Sequence, residues 1–263
     1  MSGLQFSSEA AEKLIAAYKT PDMVRQRDAT LQRLELKPGE RVIDIGCGPG
    51  FLCKSMAAAV RPTGKVVGID ISRDLIEFAN NLKGDDPIEY RIGNATALPV
   101  AAEEFDVAVS TQVIEYVPDA DAVLREIARV LRPGGRAFMI DTDFDSWVWH
   151  SADAKRMTDI MKGWELHCAH SQLPRTLIPR LRAVGFTVVD VEGYPIINTT
   201  YRTGDFSYGL SRLIYDFLLT RGFERNVLDA WQADLLEVEQ RKSSFFSLNR
   251  YFFNVRKEPA RHP

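Results

Sequence analysis

The fold of this chain is decided by Val42-Ile43-Asp44-Ile45-Gly46-Cys47-Gly48-Pro49-Gly50, an apolar segment with an acid that runs into three alternate glycines. A second apolar segment, Val66-Val67-Gly68-Ile69-Asp70, follows one strand–helix unit later and also ends in an acid. Glycines at such a turn let the backbone approach a ligand closely. An acid at the end of the second strand is placed to accept hydrogen bonds from ribose hydroxyls. Together the segments predict a nucleoside-containing cofactor across the carboxyl ends of parallel strands.

The glycine spacing separates two classes of cofactor. Dinucleotide-binding proteins carry Gly-x-Gly-x-x-Gly, because the pyrophosphate sits on a helix N-terminus. Here the glycines are Gly46, Gly48 and Gly50, and Phe51 follows them. A carboxylate at Asp44 repels pyrophosphate but suits a cationic ligand. The pattern therefore argues against NAD and a dehydrogenase, and it favours a ligand with positive charge.

The strand-end acid with Gly-x-Gly-x-Gly resembles the first motif of class I S-adenosylmethionine-dependent methyltransferases, whose cofactor carries an ammonium group and a sulfonium. Later segments match in order: Gly93-Asn94-Ala95 is similar to the family's Gly-Asp-Ala, and Leu131-Arg132-Pro133-Gly134-Gly135 to its Leu-Lys-Pro-Gly-Gly. The likeness spans roughly Leu36 to Asp143 and is strongest to the ubiquinone/menaquinone-biosynthesis type. It implies in-line methyl transfer to a small, partly apolar molecule.

The resemblance also implies which residues bind the cofactor. Asn94 replaces the family's acid and is expected to accept a hydrogen bond from the adenine amino group. N-terminal residues close over the cofactor's carboxylate in many small-molecule members, and Tyr18 is the first choice here, with Gln26 and Arg27 behind it. The full expected set is Tyr18, Gln26, Asp44, Gly46, Cys47, Gly48, Asp70, Ile71, Asn94, Ala95, Thr111 and Gln112.

Candidate bases follow the fourth and fifth strands. Methyl transfer needs a general base only if the acceptor keeps its proton at neutral pH. His150 is interpreted either as that base or as a surface or capping histidine. Tyr116 stands where the family often has histidine, and it is expected to line the pocket. His167 and His170 are interpreted as cations at a helix C-terminus.

Three alternate acids, Asp141, Asp143 and Asp145, raise the question of a metal site. Metal-dependent catechol-type methyltransferases also need an acid at the end of strand four, where this chain has Ser110-Thr111-Gln112. We therefore expect no metal, and we interpret the three acids mainly as solvated loop or capping groups. Nearby aromatic residues are expected to wall an acceptor pocket or to pack in a lid: Phe144, Trp147, Trp149 and Trp164.

Alternating short strands and amphipathic helices predict an α/β protein with a doubly wound, mostly parallel seven-stranded sheet, the Rossmann-like methyltransferase fold with helical lid insertions. A first helix is expected at about Glu9 to Lys19. We expect one domain over residues 1–263, divided into an N-terminal helical lid at 1–36, a cofactor-binding core at 37–145, and helical insertions at 146–184 and 201–244 over the acceptor. Dimerisation is a rival use for the long insertion at 201–244.

Composition bears on three further questions: nucleic-acid binding, membrane insertion or secretion, and the state of the cysteines. The formal net charge of -3 gives no electrostatic footprint for nucleic acid. No apolar run approaches the ~20 residues of a membrane helix, and the N-terminus lacks secretory-signal features. Cys47, Cys53 and Cys168 have no CxxC spacing, which indicates reduced thiols in a cytoplasm, with an arsenic-binding or reactive role left open.

Two functions of different class remain. The first is methyl transfer to a small-molecule acceptor, by a monomer or homodimer. The second is a cofactor-binding protein of the methyltransferase fold that does not transfer methyl, such as a cyclase or a regulatory partner. Both predict an intact cofactor site, so that only turnover separates them.

Overall fold

The computed structural model describes residues 15–259. The strands are β1 (Arg41–Ile45), β2 (Lys65–Asp70), β3 (Ile88–Ile92), β4 (Phe105–Thr111), β5 (Leu131–Thr142), β6 (Val148–Trp149), β7 (Phe186–Asn198) and β8 (Phe246–Lys257). The α-helices are α1 (Pro21–Leu34), α2 (Phe51–Val60), α3 (Arg73–Lys83), α4 (Ala120–Val130), α5 (Ala154–Trp164), α6 (Pro174–Ala183), α7 (Phe206–Thr220) and α8 (Arg225–Gln240). The helix expected at Glu9 to Lys19 falls largely outside the described residues, and within them 15–18 are helical.

One sheet contains all the strands. Its order is β3-β2-β1-β4-β5-β8, with β7 on the outer side of β8. Strands β1 to β5 are parallel, and β8 pairs antiparallel with β5, so the sheet is mostly parallel as predicted. The sheet has eight strands rather than seven, because the two residues of β6 pair with the start of β8 beyond the end of β5. The carboxyl ends of β1, β2, β4 and β5 therefore meet at one edge.

Helices cover both faces of the sheet, so the fold is doubly wound. One apolar cluster joins the sheet to α4 and α6 through residues such as Leu124 and Leu177. A second joins the other face to α1, α2 and α3 through residues such as Met56 and Ile76. The edge formed by the carboxyl ends of the strands, which we call the carboxyl edge, lies where these two layers of helices end.

A third apolar cluster, which we call the helical layer, packs α5, α7 and α8 on the start of β8. Trp164, Ile214 and Trp231 lie at its centre, with Phe246 from the strand. Trp147 and Phe144 belong to this cluster too, so these two predicted pocket aromatics are at least partly core residues. No helix among residues 15–259 is long and apolar enough to cross a membrane.

Candidate functional site

The glycine loop connects β1 to α2 through a backbone that only glycine adopts easily. Gly46, Gly48 and Gly50 have φ values of 71°, 52° and 78°. The N–H groups of Gly46 and Cys47 donate to Ile69 O at 2.7 and 3.0 Å, which ties the loop to β2. A side chain at Gly46 would overlap the Val113 methyl groups. The sequence therefore fixes a tight, mostly buried turn at the carboxyl edge.

Asp70 joins this loop to the next helix. The N–H of Gly48 donates to its Oδ2 at 2.9 Å, and the N–H of Ser72 to its Oδ1 at 2.8 Å. Burial raises the pKa of Asp70, and these backbone donors oppose the shift. Each carboxylate oxygen keeps a second lone pair for a ligand. The structure thus brings Asp70 and the glycine loop together, as the sequence predicts.

Asp44 lies beneath the loop and is almost completely buried. The Cys53 thiol donates to its Oδ2 at 3.2 Å, whereas Oδ1 has no hydrogen-bond partner among the described residues. Burial raises the pKa of Asp44 to about 7, and the charge of Asp70 adds to the rise. An unpartnered buried carboxylate oxygen is costly. It is suited to a cationic ligand, because a nearby positive charge favours the ionised form.

Tyr18 and Gln26 approach from the N-terminal side. The Tyr18 hydroxyl lies 3.8 Å from the point where a side chain at Gly48 would begin. Burial raises the pKa of Tyr18 to about 12, with the charge of Asp70 as the second cause. Gln26 is buried, and its amide oxygen accepts a hydrogen bond from Arg250. Arg27 lies over the Phe51 ring at 5.4 Å, and its Nη1 donates to Tyr18 O at 3.3 Å.

An exposed apolar patch follows β2 and β3. Ile71 is 65% exposed and Ile92 is 45% exposed, although both are large aliphatic residues. Asn94 is also exposed, but its Oδ1 accepts two hydrogen bonds from Thr96, each at 3.0 Å. Both lone pairs of that oxygen are then in use. The predicted contact of Asn94 with an adenine amino group is therefore not supported in this geometry, since the asparagine caps its own turn.

Two further predicted cofactor residues lie beside the loop: Thr111 ends β4, and Gln112 follows it. Gln112 has a φ of 56°, a left-handed conformation that non-glycine residues rarely adopt. Its N–H donates to Ile140 O at 2.7 Å, which holds it against β5. Ala95 packs against the apolar cluster of the α4 and α6 face.

A pair of buried acids that the sequence reasoning missed lies where β4 and β5 end. The N–H of Thr142 donates to Glu115 Oε2 at 2.6 Å, and the N–H of Glu115 donates to Asp141 Oδ1 at 3.2 Å. Burial raises the pKa of Glu115 to about 7. Burial, and then the charge of Glu115, hold the pKa of Asp141 well above its usual range. Of the two predicted roles for Asp141, a solvated loop acid and a capping group, the first is wrong because its strand end is enclosed, and the second agrees with the backbone N–H that it accepts.

Of the other two acids of that group, Asp143 is a cap and Asp145 is an exposed loop acid, both among the predicted roles. Asp143 accepts the N–H of Asp145 at 3.1 Å and pairs with Arg175 at 2.8 Å. Asp145 is exposed and pairs with the same arginine at 3.0 Å. No cluster of three or more potential metal ligands exists within residues 15–259.

The histidines are distributed differently from expectation. His150 is exposed, and its N–H donates to Phe245 O at 2.9 Å, beyond the last pair of β5 with β8. It lies beside Thr200 and Tyr201 at the helical layer, and its assignment as a base stays a prediction.

His167 is fully buried rather than a solvated cation, which corrects the reading made from its helix end. Its ring stacks on Trp164 with 3.8 Å between centroids, and its Nδ1 lies 2.5 Å from Trp164 O. Burial lowers the pKa of His167 to about 4. The Tyr116 ring meets it edge-on at 5.7 Å, which places the predicted pocket tyrosine between the acids and the helical layer.

Comparisons with known proteins agree with this architecture. The chain is 36% identical over 119 residues to a demethylmenaquinone methyltransferase of Oceanobacillus iheyensis, covering 44% of this chain and 50% of that protein. It is 40% identical over 109 residues to an arsenite methyltransferase of Halobacterium salinarum, covering 40% and 28%. The chain thus spans half or less of the length of these curated relatives.

The solved phosphoethanolamine N-methyltransferase 2 of Haemonchus contortus, in complex with S-adenosyl-L-methionine, aligns with a TM-score of 0.62 at 20% identity over 97% of this chain and 58% of that one. At that identity the likeness shows the fold alone. A family model described as a methyltransferase domain matches residues 36–183, more than half of the chain and all of the glycine-loop site. The chain therefore belongs to the methyltransferase domain family.

Proposed function

We propose that this protein binds S-adenosylmethionine at the carboxyl edge and transfers its methyl group to a small, partly apolar molecule. One observation carries the proposal: the loop of Gly46, Gly48 and Gly50 is held by Asp70 above an unpartnered, buried oxygen of Asp44. Relatives named as demethylmenaquinone and arsenite methyltransferases support the class of reaction.

The residues present fit the cofactor part by part. The free Asp44 oxygen suits the ammonium group, because a buried acceptor is stabilised by a charged donor. The remaining lone pairs of Asp70 suit the ribose hydroxyls. The exposed side chains of Ile71 and Ile92 suit the flat faces of adenine. Tyr18, close to Gly48, is our candidate for closing over the carboxylate.

S-adenosylmethionine supplies an electrophilic methyl group carried on a sulfonium. The work left to the chain is alignment, which supplies much of the acceleration in an in-line displacement. Tyr18 lies beside Gly48 and Tyr116 packs against the helical layer, which excludes water on that side. We infer that residues 146–184 and 201–244, together with the described part of the predicted lid at 1–36, form the lid over the acceptor, around the core at 37–145; residues 1–14 of that predicted lid lie outside the described residues.

The acceptor proposed here is a small molecule, and the chain acts as a monomer or homodimer. All three cysteines are free and buried, which supports a reducing compartment such as the cytoplasm. Light scattering of the purified chain measures the oligomeric state directly.

The proposal is tested by titrating the protein with S-adenosylhomocysteine and, separately, with NAD. We expect binding of the first alone, and loss of binding in Asp44→Ala but not in the exposed control Asp28→Ala. Incubation with methyl-labelled cofactor and a metabolite extract should then give labelled small molecules. Binding of NAD without S-adenosylhomocysteine would overturn the assignment. Cofactor binding without label transfer would favour the non-transferring alternative.

A further inference from the structure

Arg250 is a buried cation at the point where β5, β7 and β8 meet. It pairs with Thr142 of β5 and with Tyr194 of β7 in the sheet register. It is only 3% exposed. The register places it beside the strand end that carries Asp141 and Thr142, on the acceptor side of the carboxyl edge.

The contacts of this guanidinium leave part of it unsatisfied. Its Nη1 donates to Gln26 Oε1 and lies 3.4 Å from Met23 Sδ, and neither partner carries a charge. Its plane lies over the Phe206 ring at 5.1 Å. Its Nε has no hydrogen-bond partner among the described residues. A buried charge without full hydrogen bonding is expensive, so the chain retains here a donor that its own described residues do not use.

Glu115 presents the complementary group. Its Oε2 accepts the Thr142 N–H at 2.6 Å, whereas Oε1 is buried and has no hydrogen-bond partner among residues 15–259. Glu115 and Arg250 also interact electrostatically. Burial lowers the pKa of Arg250, and the charge of Glu115 is the largest effect that raises it. Tyr116 and Tyr18 are the next groups that Arg250 faces. Glu115 and Arg250 are linked through Thr142, and among the described residues they offer one buried acceptor atom and one buried donor atom without a hydrogen-bond partner. The hydroxyls of Thr142 and Tyr116 are the other polar side-chain groups near Glu115.

We propose that Glu115 and Arg250 recognise a hydroxyl on an aromatic ring or an enol as the methyl acceptor. A hydroxyl can donate to Glu115 Oε1 while its oxygen accepts from Arg250 Nε, which a methyl ether or an ammonium group cannot do. The aromatic rings of Phe206 and Tyr116 suit the apolar part of such a molecule. This inference rests on the proposed function, because it names the acceptor class of the same site.

The same pair accounts for activation of the acceptor. The O–H bond breaks, its proton passes to Glu115 Oε1, and the electron pair stays on the acceptor oxygen. The carboxylate becomes a neutral acid, and the oxyanion lies against the guanidinium of Arg250. Glu115 thus acts as a general base close to the proton that it removes, and the acceptor oxygen becomes the activated nucleophile.

The experiment uses three matched probes: naphthol, its methyl ether and naphthylmethylamine. Their binding is measured by fluorescence on the full chain in the presence of S-adenosylhomocysteine. We expect naphthol to bind at least several-fold more tightly than the other two. In Arg250→Met and Glu115→Gln that preference should fall to about one-fold. Arg33→Met is the matched control, because Arg33 also lies over an aromatic ring, that of Phe252 at 4.6 Å, but on the outer surface. This variant should keep the preference for naphthol.

The outcomes separate this inference from the proposed function. Thermal melts and S-adenosylhomocysteine titration establish that each variant is folded, and Arg250→Lys provides a milder replacement if Arg250→Met unfolds. Equal binding of the three probes, no binding of naphthol, or a preference that survives both site variants would overturn the hydroxyl assignment. Failure of S-adenosylhomocysteine to bind the wild type would instead overturn the proposed function.

Discussion

The N–H of Gly48 donates to the carboxylate of Asp70 at 2.9 Å, so the acid that ends β2 fixes the loop that follows β1. The other oxygen of Asp70 accepts the N–H of Ser72 at 2.8 Å, at the start of α3. One side chain therefore positions the glycine loop and the next helix while keeping lone pairs for a ligand. This double role explains why β2 ends in an acid.

Replacing Asp70 should weaken cofactor binding. In Asp70→Ala we expect the affinity for S-adenosylhomocysteine to fall by about 1.5–3 kcal/mol, the usual value of hydrogen bonds to a charged group. Asp70→Asn should lose less, because the amide oxygen can still accept one backbone N–H. Isothermal titration measures both, with the exposed Asp85→Ala as control. An unchanged dissociation constant in folded Asp70→Ala would remove this residue from the site.

The part of the site that sequence predicts is the part built from local segments. The loop from Gly46 to Gly50 and the acid Asp70 come from two strand ends, and parallel strands bring such ends to one edge. Arg250 was not predicted, because its partners Gln26 and Thr142 lie far away in the chain. A signal for it does exist: Leu248, Arg250 and Phe252 alternate along β8, so that the arginine stands on the buried face.

His167 and Asp141 show why two interpretations of charged residues differ from the structure. Both were assigned from a position at the end of an element, where charged groups are usually solvated. The helical layer covers those ends, and its packing depends on Trp164, Ile214 and other residues brought together only by the tertiary fold. Burial then reverses the expected ionisation of the histidine and of the acid.

The glycine loop should tolerate no side chain at its first glycine. Gly46 and Gly134 both have positive φ, 71° and 77°, but a side chain at Gly46 would overlap Val113, whereas one at Gly134 meets nothing within 4 Å. We expect Gly134→Ala to cost about 1–2 kcal/mol from backbone conformation alone. Gly46→Ala should cost about 1–3 kcal/mol more and abolish cofactor binding. Urea unfolding compares the two, and equal costs would contradict the overlap.

A buried hydrogen-bond network joins the N-terminal helix to the helical layer. Asp22 Oδ2 accepts the side-chain N–H of Asn198 at 2.9 Å and the N–H of Phe206 at 3.0 Å. Asp22→Ala would leave these buried donors unsatisfied, at about 1–3 kcal/mol each. We expect lower stability in urea and faster amide exchange at the start of α7. Asp28→Ala, on the exposed side of α1, is the control, and unaltered exchange at α7 in Asp22→Ala would contradict the role of the network.

Asp44 should make cofactor binding release a proton. Burial raises its pKa to about 7 in the free protein. The titratable groups that interact with it include Cys53, Cys47, Asp70, Tyr18 and Tyr90. Below that pH the free carboxyl is protonated, whereas a bound ammonium group favours the ionised form. Binding must then expel the proton, so that affinity falls as pH falls through about 7 and is level above it.

The sign of this linkage is testable with S-adenosylhomocysteine. Each pH unit below the pKa of Asp44 should weaken binding about tenfold, equivalent to about 1.4 kcal/mol. Titration calorimetry in buffers of different ionisation enthalpy should show nearly one proton released per ligand at pH about 6. Asp44→Asn has no proton to lose, so its binding should be weaker at alkaline pH and free of this release. Tighter binding at acid pH in the wild type, or the same release in the variant, would assign the proton to another group.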